Sequence, residues 1–452
     1  MRTFLLATAS LVAWAESPQL ASRLDTSISA ALSASRAPSV SVAVVENGRL
    51  SYAKAFGKAD LAAGRGATVD TRYAIGSVSK QFTAAALLLL QEQGKLSLDD
   101  KVAKFFPDLT RADEITIRQL LSHTSGYEDY APQDYLISEW TQPTTTAHIL
   151  ERWARKPLNY DPGTKWQYSN TGYVLAAAIF EKTAGKPLVA FLRDMIFDPL
   201  GMTSAGDCDV RSPKDARAYT RFALGPPRPV AREGRGWYLG AGELCMTPSD
   251  LAKWDIALIE KQILSAKSYD ELTREVKLAN GQPTHYALGL SVGGTADDPE
   301  LSHGGEVSGF LTSNRVWPAR RAAIAVCSNE DGVNLTGSVS REIAEALFGA
   351  RAGPPDIARV RAILEDLQRG RIDRSLFTQN ANSYFTATAL GDYQTSLSRL
   401  GKLQSIARIS EQSRGGMMHR IYRVQYEKKA VMVNIYETPD GKYEQFMVME
   451  QI

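Results

Sequence analysis

The stretch from Phe82 to Leu90 constrains this chain more than any other. Alanines 84 to 86 and leucines 87 to 90 follow Phe82 and Thr83 without a break, so a helix built on them has no polar face. Such a helix is buried in the centre of a domain, and Gly94 is placed to end it. Other elements must therefore wrap around it. Upstream, Gln19 to Ser35 has helical character, and Ser39 to Ala55 alternates around Asn47-Gly48, a strong hairpin signal. Downstream, helical patterns with polar loops run from Thr116 to about Lys267, notably at Thr116–Ser122, Thr146–Arg155, Thr171–Ala184 and Pro248–Glu260. Strand patterns return at Tyr286 to Val292, Phe310 to Trp317 and Arg321 to Ser328, the last two joined by Pro318-Ala319-Arg320, and a helix closes at Val339 to Phe348. This segregation predicts an α+β unit in which one antiparallel sheet, drawn from both ends of the unit, packs against a helical region.

A chain of 452 residues is too long for one ordinary domain. Gly349 to Pro355 (GARAGPP) reads as a linker, which divides the mature chain into residues 16–352 and 353–452. The second part reads as a helix over Asp356 to Gln368 and a β-meander over Arg420–Tyr426, Val431–Tyr436 and Tyr443–Met449. It is a small α+β domain whose pattern is similar to the cystatin or NTF2-like group. Residues 1–15 read as a signal peptide: Arg2, an apolar run to Val12, then Ala13-Trp14-Ala15 before Glu16. The expected location is periplasmic or secreted. No other apolar stretch is long enough to span a bilayer, so stable membrane insertion is not expected. A formal charge of +2 with no lysine- or arginine-rich run argues against nucleic acid and anionic membrane as partners. The five histidines form no metal-ligand spacing, and no pattern calls for a cofactor. Cys208 and Cys245 lie in loop-like sequence, open to pairing or remaining free, while Cys327 sits in an apolar strand.

Three short stretches carry chemistry. In Ser77-Val78-Ser79-Lys80, serine and lysine stand three apart at the opening of the buried helix and so share a face. A second Ser-x-x-Lys, Ser51 to Lys54, lies in an alternating strand, where positions three apart point to opposite faces. A lysine buried beside a serine is shifted towards its neutral form, as a base needs. Tyr168-Ser169-Asn170 is the one tyrosine of eighteen followed two places on by asparagine. Its phenol is a candidate base if a cation lowers its pKa, and the amide of Asn170 can donate to a substrate carbonyl or accept from Lys80. His303-Gly304-Gly305 is the only His-x-Gly, and the backbone N–H groups of Ser77 and Glu306 are candidate oxyanion donors. Each stretch also has a plain structural reading: an N-cap at Ser77 with Lys80 in solvent, a capped turn at Ser169, and a glycine turn with an exposed His303.

Taken in order, Ser-x-x-Lys, Tyr-x-Asn and His-x-Gly resemble the serine β-lactamase and penicillin-binding family. The tyrosine in the second motif places the resemblance on the class C β-lactamase and D-alanyl-D-alanine carboxypeptidase branch. Flanking stretches agree: Tyr73-Ala74-Ile75-Gly76, Leu120-Leu121-Ser122-His123-Thr124-Ser125-Gly126 and Gly240-Ala241-Gly242-Glu243-Leu244. Together they cover residues 38 to 348. The resemblance implies Ser77 as nucleophile, Lys80 and Tyr168 as proton-transfer partners, Asn170 as substrate positioner, and His303, Gly304, Gly305 and Glu306 along the substrate strand. His123 looks like a buried support residue, with plain packing the favoured reading; Trp237 and Tyr238 fit either a cleft wall or core.

The implied activity is cleavage of a small peptide, amide or ester through an acyl-enzyme. Histidine replaces the lysine that class C β-lactamases carry in the third motif, so the fixed cation for an antibiotic carboxylate is missing. This favours D-amino-acid peptidases, carboxypeptidases and esterases over a true β-lactamase. A non-catalytic sensor that is merely acylated would have no need of the whole set. An α/β-hydrolase would need Gly-x-Ser-x-Gly, which does not occur.

Overall fold

The computed structural model describes residues 18–132, 136–222, 225–295, 297–348, 355–414, 417–438 and 441–450. Residues 1–15, read above as a signal peptide, and residues 349–354 of the linker lie outside them. The chain divides into two compact units, one ending at Leu347 and the other beginning at Phe348.

In the first unit, α1 (Pro18–Ser35) leads into β1 (Ser39–Glu46) and β2 (Arg49–Asp60), turned by Asn47 and Gly48, both at positive φ. A two-residue β3 (Arg65–Gly66) edges β2. Then come the helices α2 (Lys80–Glu92), α3 (Asn170–Ala184) and α4 (Pro248–Glu260), and the strands β4 (Ser291–Thr295), β5 (Asp298–Val307), β6 (Phe310–Trp317) and β7 (Ala322–Ser328), closed by α5 (Leu335–Phe348). The seven strands lie in the order β3-β2-β1-β7-β6-β5-β4. Val42 pairs with Val326 across β1 and β7, so the two ends of the unit meet in mid-sheet, as the segregated pattern predicts. Every residue of β7 is buried, as expected for a central strand without alternation.

Helix α2 is the buried element its composition demands: every residue from Lys80 to Leu90 is buried. It packs on α3, itself buried from Asn170 to Phe180 and stopped by Gly185 in the left-handed region. A polar chain ties α2 to the sheet. The Trp254 indole donates to Gln81 at 2.8 Å, Gln81 donates to Asn314 at 3.0 Å, and Asn314 donates to Asp255 at 2.8 Å. Each side chain there has a partner, so the network specifies how α2, α4 and β6 meet.

One strand assignment is corrected. Tyr286 to Leu290 is buried but not extended; Gly289 turns at positive φ against the backbone of Lys80 and Gln81, and the strand starts at Ser291. Burial on all sides produced an apolar run that imitates a strand. Conversely β5, which carries the His-x-Gly motif, has too many glycines and polar residues to show as a strand in sequence.

The second unit has α6 (Pro355–Gln368), two shorter helices at Gln379–Tyr384 and Ala387–Ser398, and a meander of β8 (Leu403–Arg414), β9 (Met417–Tyr426), β10 (Ala430–Glu437) and β11 (Tyr443–Glu450). Its own core includes Val360, Leu364, Tyr422, Val433 and Phe446.

Candidate active site

Ser77 lies in a 3-10 turn, Gly76–Ser79, that leads directly into α2. Gly76 has φ +51°, and a Cβ there would sit 2.7 Å from the Glu306 nitrogen. A Cβ on Gly305 would sit 1.9 Å from the Ile75 carbonyl oxygen and 3.4 Å from the Ser77 nitrogen. The two glycines thus let β5 close on the nucleophile turn, bringing the Ser77 and Glu306 backbones side by side. β4 pairs with β5 only over Asp298–Ser302, so the His303–Val307 stretch lies beyond that partner.

The Lys80 ammonium is fully buried and donates to Ser77 Oγ at 2.9 Å, Asn170 Oδ1 at 2.8 Å and the Ala241 carbonyl at 2.7 Å. This excludes the reading in which Lys80 reaches solvent. Burial pulls its pKa down to about 7, against the opposing pull of the Asp129 and Glu243 carboxylates. In the neutral amine two N–H bonds hold Asn170 and Ala241, and the lone pair is left for the Ser77 proton.

Tyr168 lines the same cleft wall as Ser77, the Ser77 side chain acts on its phenol, and the Lys80 nitrogen stands 4.9 Å from its ring centre. Its phenol is not lowered as the sequence reading expected: burial raises it above the ordinary value. Desolvation of the phenolate is the largest cause, and the nearby Asp129 charge adds to it, against a smaller lowering by the Ser77 side chain. Tyr168 therefore holds its proton at neutral pH.

Asn170 has a partner that the sequence reading did not foresee. Its amide nitrogen donates to Asp129 at 3.2 Å, and Asp129 also receives its backbone N–H at 3.0 Å. Asn170 thus orients Lys80 through its side-chain oxygen, is itself fixed by Asp129, and lines the cleft. Ser169 caps α3 by accepting from the Gly172 N–H, so the cap and the cleft readings of this stretch hold together.

His303 is buried, with Nδ1 bonded to its neighbour's carbonyl, Gly304 O, at 2.5 Å and Nε2 facing the Tyr286 hydroxyl at 2.8 Å. Burial, then the Lys80 charge, lowers it to about 4, so it is neutral at pH 7. His123 does more than pack: Nδ1 accepts the Ser169 N–H at 3.1 Å, and its ring lies 4.2 Å from that of Tyr168. Trp237 belongs to the core, donating to the Gln142 carbonyl at 2.8 Å, whereas Tyr238 and Trp140 line the cleft. The cavity has a volume of about 720 Å³ and contains Ser77, Tyr168, Asn170 and residues 303–306 in its wall. All of the sequence-derived site residues converge here. Asp129 and Tyr286 were missed; a single carboxylate in a loop and a tyrosine in an apolar run carry no local signal. Cys208 and Cys245 form a disulfide, and Cys327 is a buried free thiol.

The family described as Beta-lactamase matches residues 24–347. A penicillin-binding protein of Bacillus subtilis (strain 168) is 29% identical over 364 residues, covering 76% of this chain and 78% of its own. A D-stereospecific amidohydrolase from Streptomyces sp. has a similar structure, with a TM-score of 0.62 at 26% identity, over 74% of this chain and 99% of its own. An octameric penicillin-binding protein homologue from Pyrococcus abyssi shares the fold over 95% of this chain and 99% of its own, with a TM-score of 0.66 at 20% identity.

Proposed function

The chain belongs to the beta-lactamase family of serine hydrolases, and from that premise we propose that it cleaves a D-amino-acid amide, peptide or small ester through an acyl-enzyme on Ser77. The observation that carries this reading is the contact of a buried, near-neutral Lys80 with Ser77 Oγ at 2.9 Å. Ser77 Oγ attacks the substrate carbonyl as its proton passes to the Lys80 nitrogen. The developing oxyanion meets the Ser77 and Glu306 amides. As the C–N or C–O bond breaks, the Tyr168 hydroxyl donates its proton to the leaving group and is resupplied by Lys80. Water then attacks the acyl ester, with Lys80 again as base, and Ser77 is restored.

Two observations favour amide or ester substrates without a recognition carboxylate over β-lactams and D-alanyl-D-alanine. His303 is neutral where a carboxylate would need a cation, and a relative of similar structure is a D-stereospecific amidohydrolase. The proposed export rests on the reading of residues 1–15 as a signal peptide and is consistent with the Cys208–Cys245 disulfide; N-terminal sequencing of exported protein should begin at Glu16.

The test is intact-mass analysis after exposure to a fluorophosphonate. A single adduct on the wild type, absent in Ser77→Ala, is expected. No adduct, or equal labelling of both, overturns the acyl-enzyme. Tyr168→Phe should lower turnover by about 10²-fold or more with unchanged folding; an unaltered rate removes the phenol from proton transfer.

A further inference from the structure

The cleft carries several carboxylates, and their placement bears on which substrates Ser77 meets. Asp129, Glu233, Glu306 and Asp331 all line the cavity, and among its described lining residues there is no lysine or arginine. They are not equivalent. Asp129 lies beside Lys80, holds Asn170, and its charge acts on the lysine. Glu233 and Asp331 do not figure among the charges that act on Lys80. They sit at the turn between β5 and β6, just past the oxyanion position.

Two successive backbone amides of that turn hold them. Ser308 N–H donates to Glu233 Oε1 at 3.0 Å, joined by the Ser308 hydroxyl at 2.6 Å and the Tyr238 hydroxyl at 3.2 Å. Gly309 N–H donates to Asp331 Oδ2 at 2.7 Å. All these donors are neutral. They fix the carboxylates without cancelling their charge. Neither forms an ion pair among the described residues. Arg232, next in sequence to Glu233, feels its charge without pairing with it: it donates to the Cys208 carbonyl and lines a neighbouring cavity whose wall Glu233 shares. Arg221, near Asp331, forks both carboxylate oxygens of the buried Glu330. Tyr238 feels Glu233, Asp129 and Glu306 together, which independently places these charges around one point in the cleft.

We propose that Glu233 and Asp331, clamped by the Ser308 and Gly309 amides at the end of the cleft, select substrates that carry an ammonium group within reach of the scissile bond. The inference rests on the acyl-enzyme reading, because the ligand is the substrate of Ser77. Two fixed anions, neither held in an ion pair among the described residues, in a recess with low-dielectric walls, attract a cation and repel a carboxylate. With His303 neutral, nothing on the substrate strand offsets them. The ammonium belongs either to the α-amino group of an unblocked D-amino acid or to a basic side chain.

Four p-nitroanilides separate the cases: D-alanine (α-ammonium), Nα-acetyl-D-lysine (side-chain ammonium), Nα-acetyl-D-alanine (neutral) and Nα-succinyl-D-alanine (anionic). In the wild type at least one ammonium substrate should exceed the neutral one in kcat/KM by about tenfold or more, and the anionic one should be slowest. The lead should shrink in high salt. It should collapse towards unity in Glu233→Gln and Asp331→Asn, both of which keep the acceptor oxygen for the turn amides. Each variant is judged by its own ammonium-to-neutral ratio, so a general loss of activity does not mimic the effect. Equal rates for ammonium and neutral substrates, a preference for the succinylated one, or a ratio untouched in both variants overturns the proposal. If the wild type also fails to be labelled at Ser77, the acyl-enzyme reading itself falls; labelling with no charge preference sinks this inference alone.

Discussion

Lys80 and Asn170 stand 90 residues apart in the chain, yet the lysine donates to the asparagine side-chain oxygen at 2.8 Å. Each residue opens one of the two central helices of the first unit, α2 and α3. The packing of two apolar helices therefore brings the proton-transfer groups together. Asp129 locks the far side of the Asn170 amide, so the lysine is aimed at Ser77 rather than merely near it.

The pH dependence of kcat/KM should follow the lysine. Burial lowers Lys80 to about 7, and only its neutral form accepts the serine proton. Activity should rise through that pH and level off above it. Burial holds Tyr168 above its ordinary value of 10.0, so no descending limb from this phenol should enter below about pH 10. A rate that falls with rising pH through neutrality would contradict this assignment.

Glu243 should limit stability at high pH. Its carboxylate oxygens are buried without hydrogen-bond partners among the described residues, and burial pushes it up to about 8 from 4.5. Between these values the unfolded chain loses the proton and the folded chain keeps it, so stability falls as pH rises through that window. Glu243→Gln should therefore melt at a higher temperature than the wild type. The gain should grow from pH 4.5 to pH 8 and flatten above, as read by thermal denaturation across a pH series.

Gly305→Ala should disable acylation. The added carbon would meet the Ile75 carbonyl at 1.9 Å, so β5 must move off the nucleophile turn and the paired amides separate. Fluorophosphonate labelling should slow by about 10² or more. At Gly304 the nearest atom to such a carbon is 3.9 Å away, and alanine should be accommodated without moving the strand. Labelling of the Gly305 variant at the wild-type rate would refute the close approach as the source of the oxyanion site.

The Cys208–Cys245 disulfide closes a loop over a sequence separation of 37. It also joins the strand residues beside Glu243 to the segment at Asp207, which already share a Cys208 N–H to Glu243 carbonyl bond of 2.8 Å. Replacing both cysteines with serine should cost about 2–4 kcal/mol, seen as a lower midpoint in denaturant. An unchanged midpoint would mean that the surrounding strand pairing alone holds this segment.

Local chemistry was legible in the sequence because helical and strand periodicities turn residue spacing directly into direction. The all-apolar run of α2 dictated burial, the Asn47-Gly48 turn dictated the first hairpin, and the three spaced motifs marked the nucleophile and its neighbours. Only the tertiary structure decided what those groups do. It raised the phenol of Tyr168, fixed the Asn170 amide against Asp129, and turned His123 from packing into a support for the second motif. It also set Glu233 and Asp331 on one turn, though nearly a hundred residues of chain lie between them. The physical reason is that proton affinity and hydrogen-bond occupancy depend on desolvation and on partners brought in from elsewhere in the chain, and neither quantity is encoded in the spacing of neighbours.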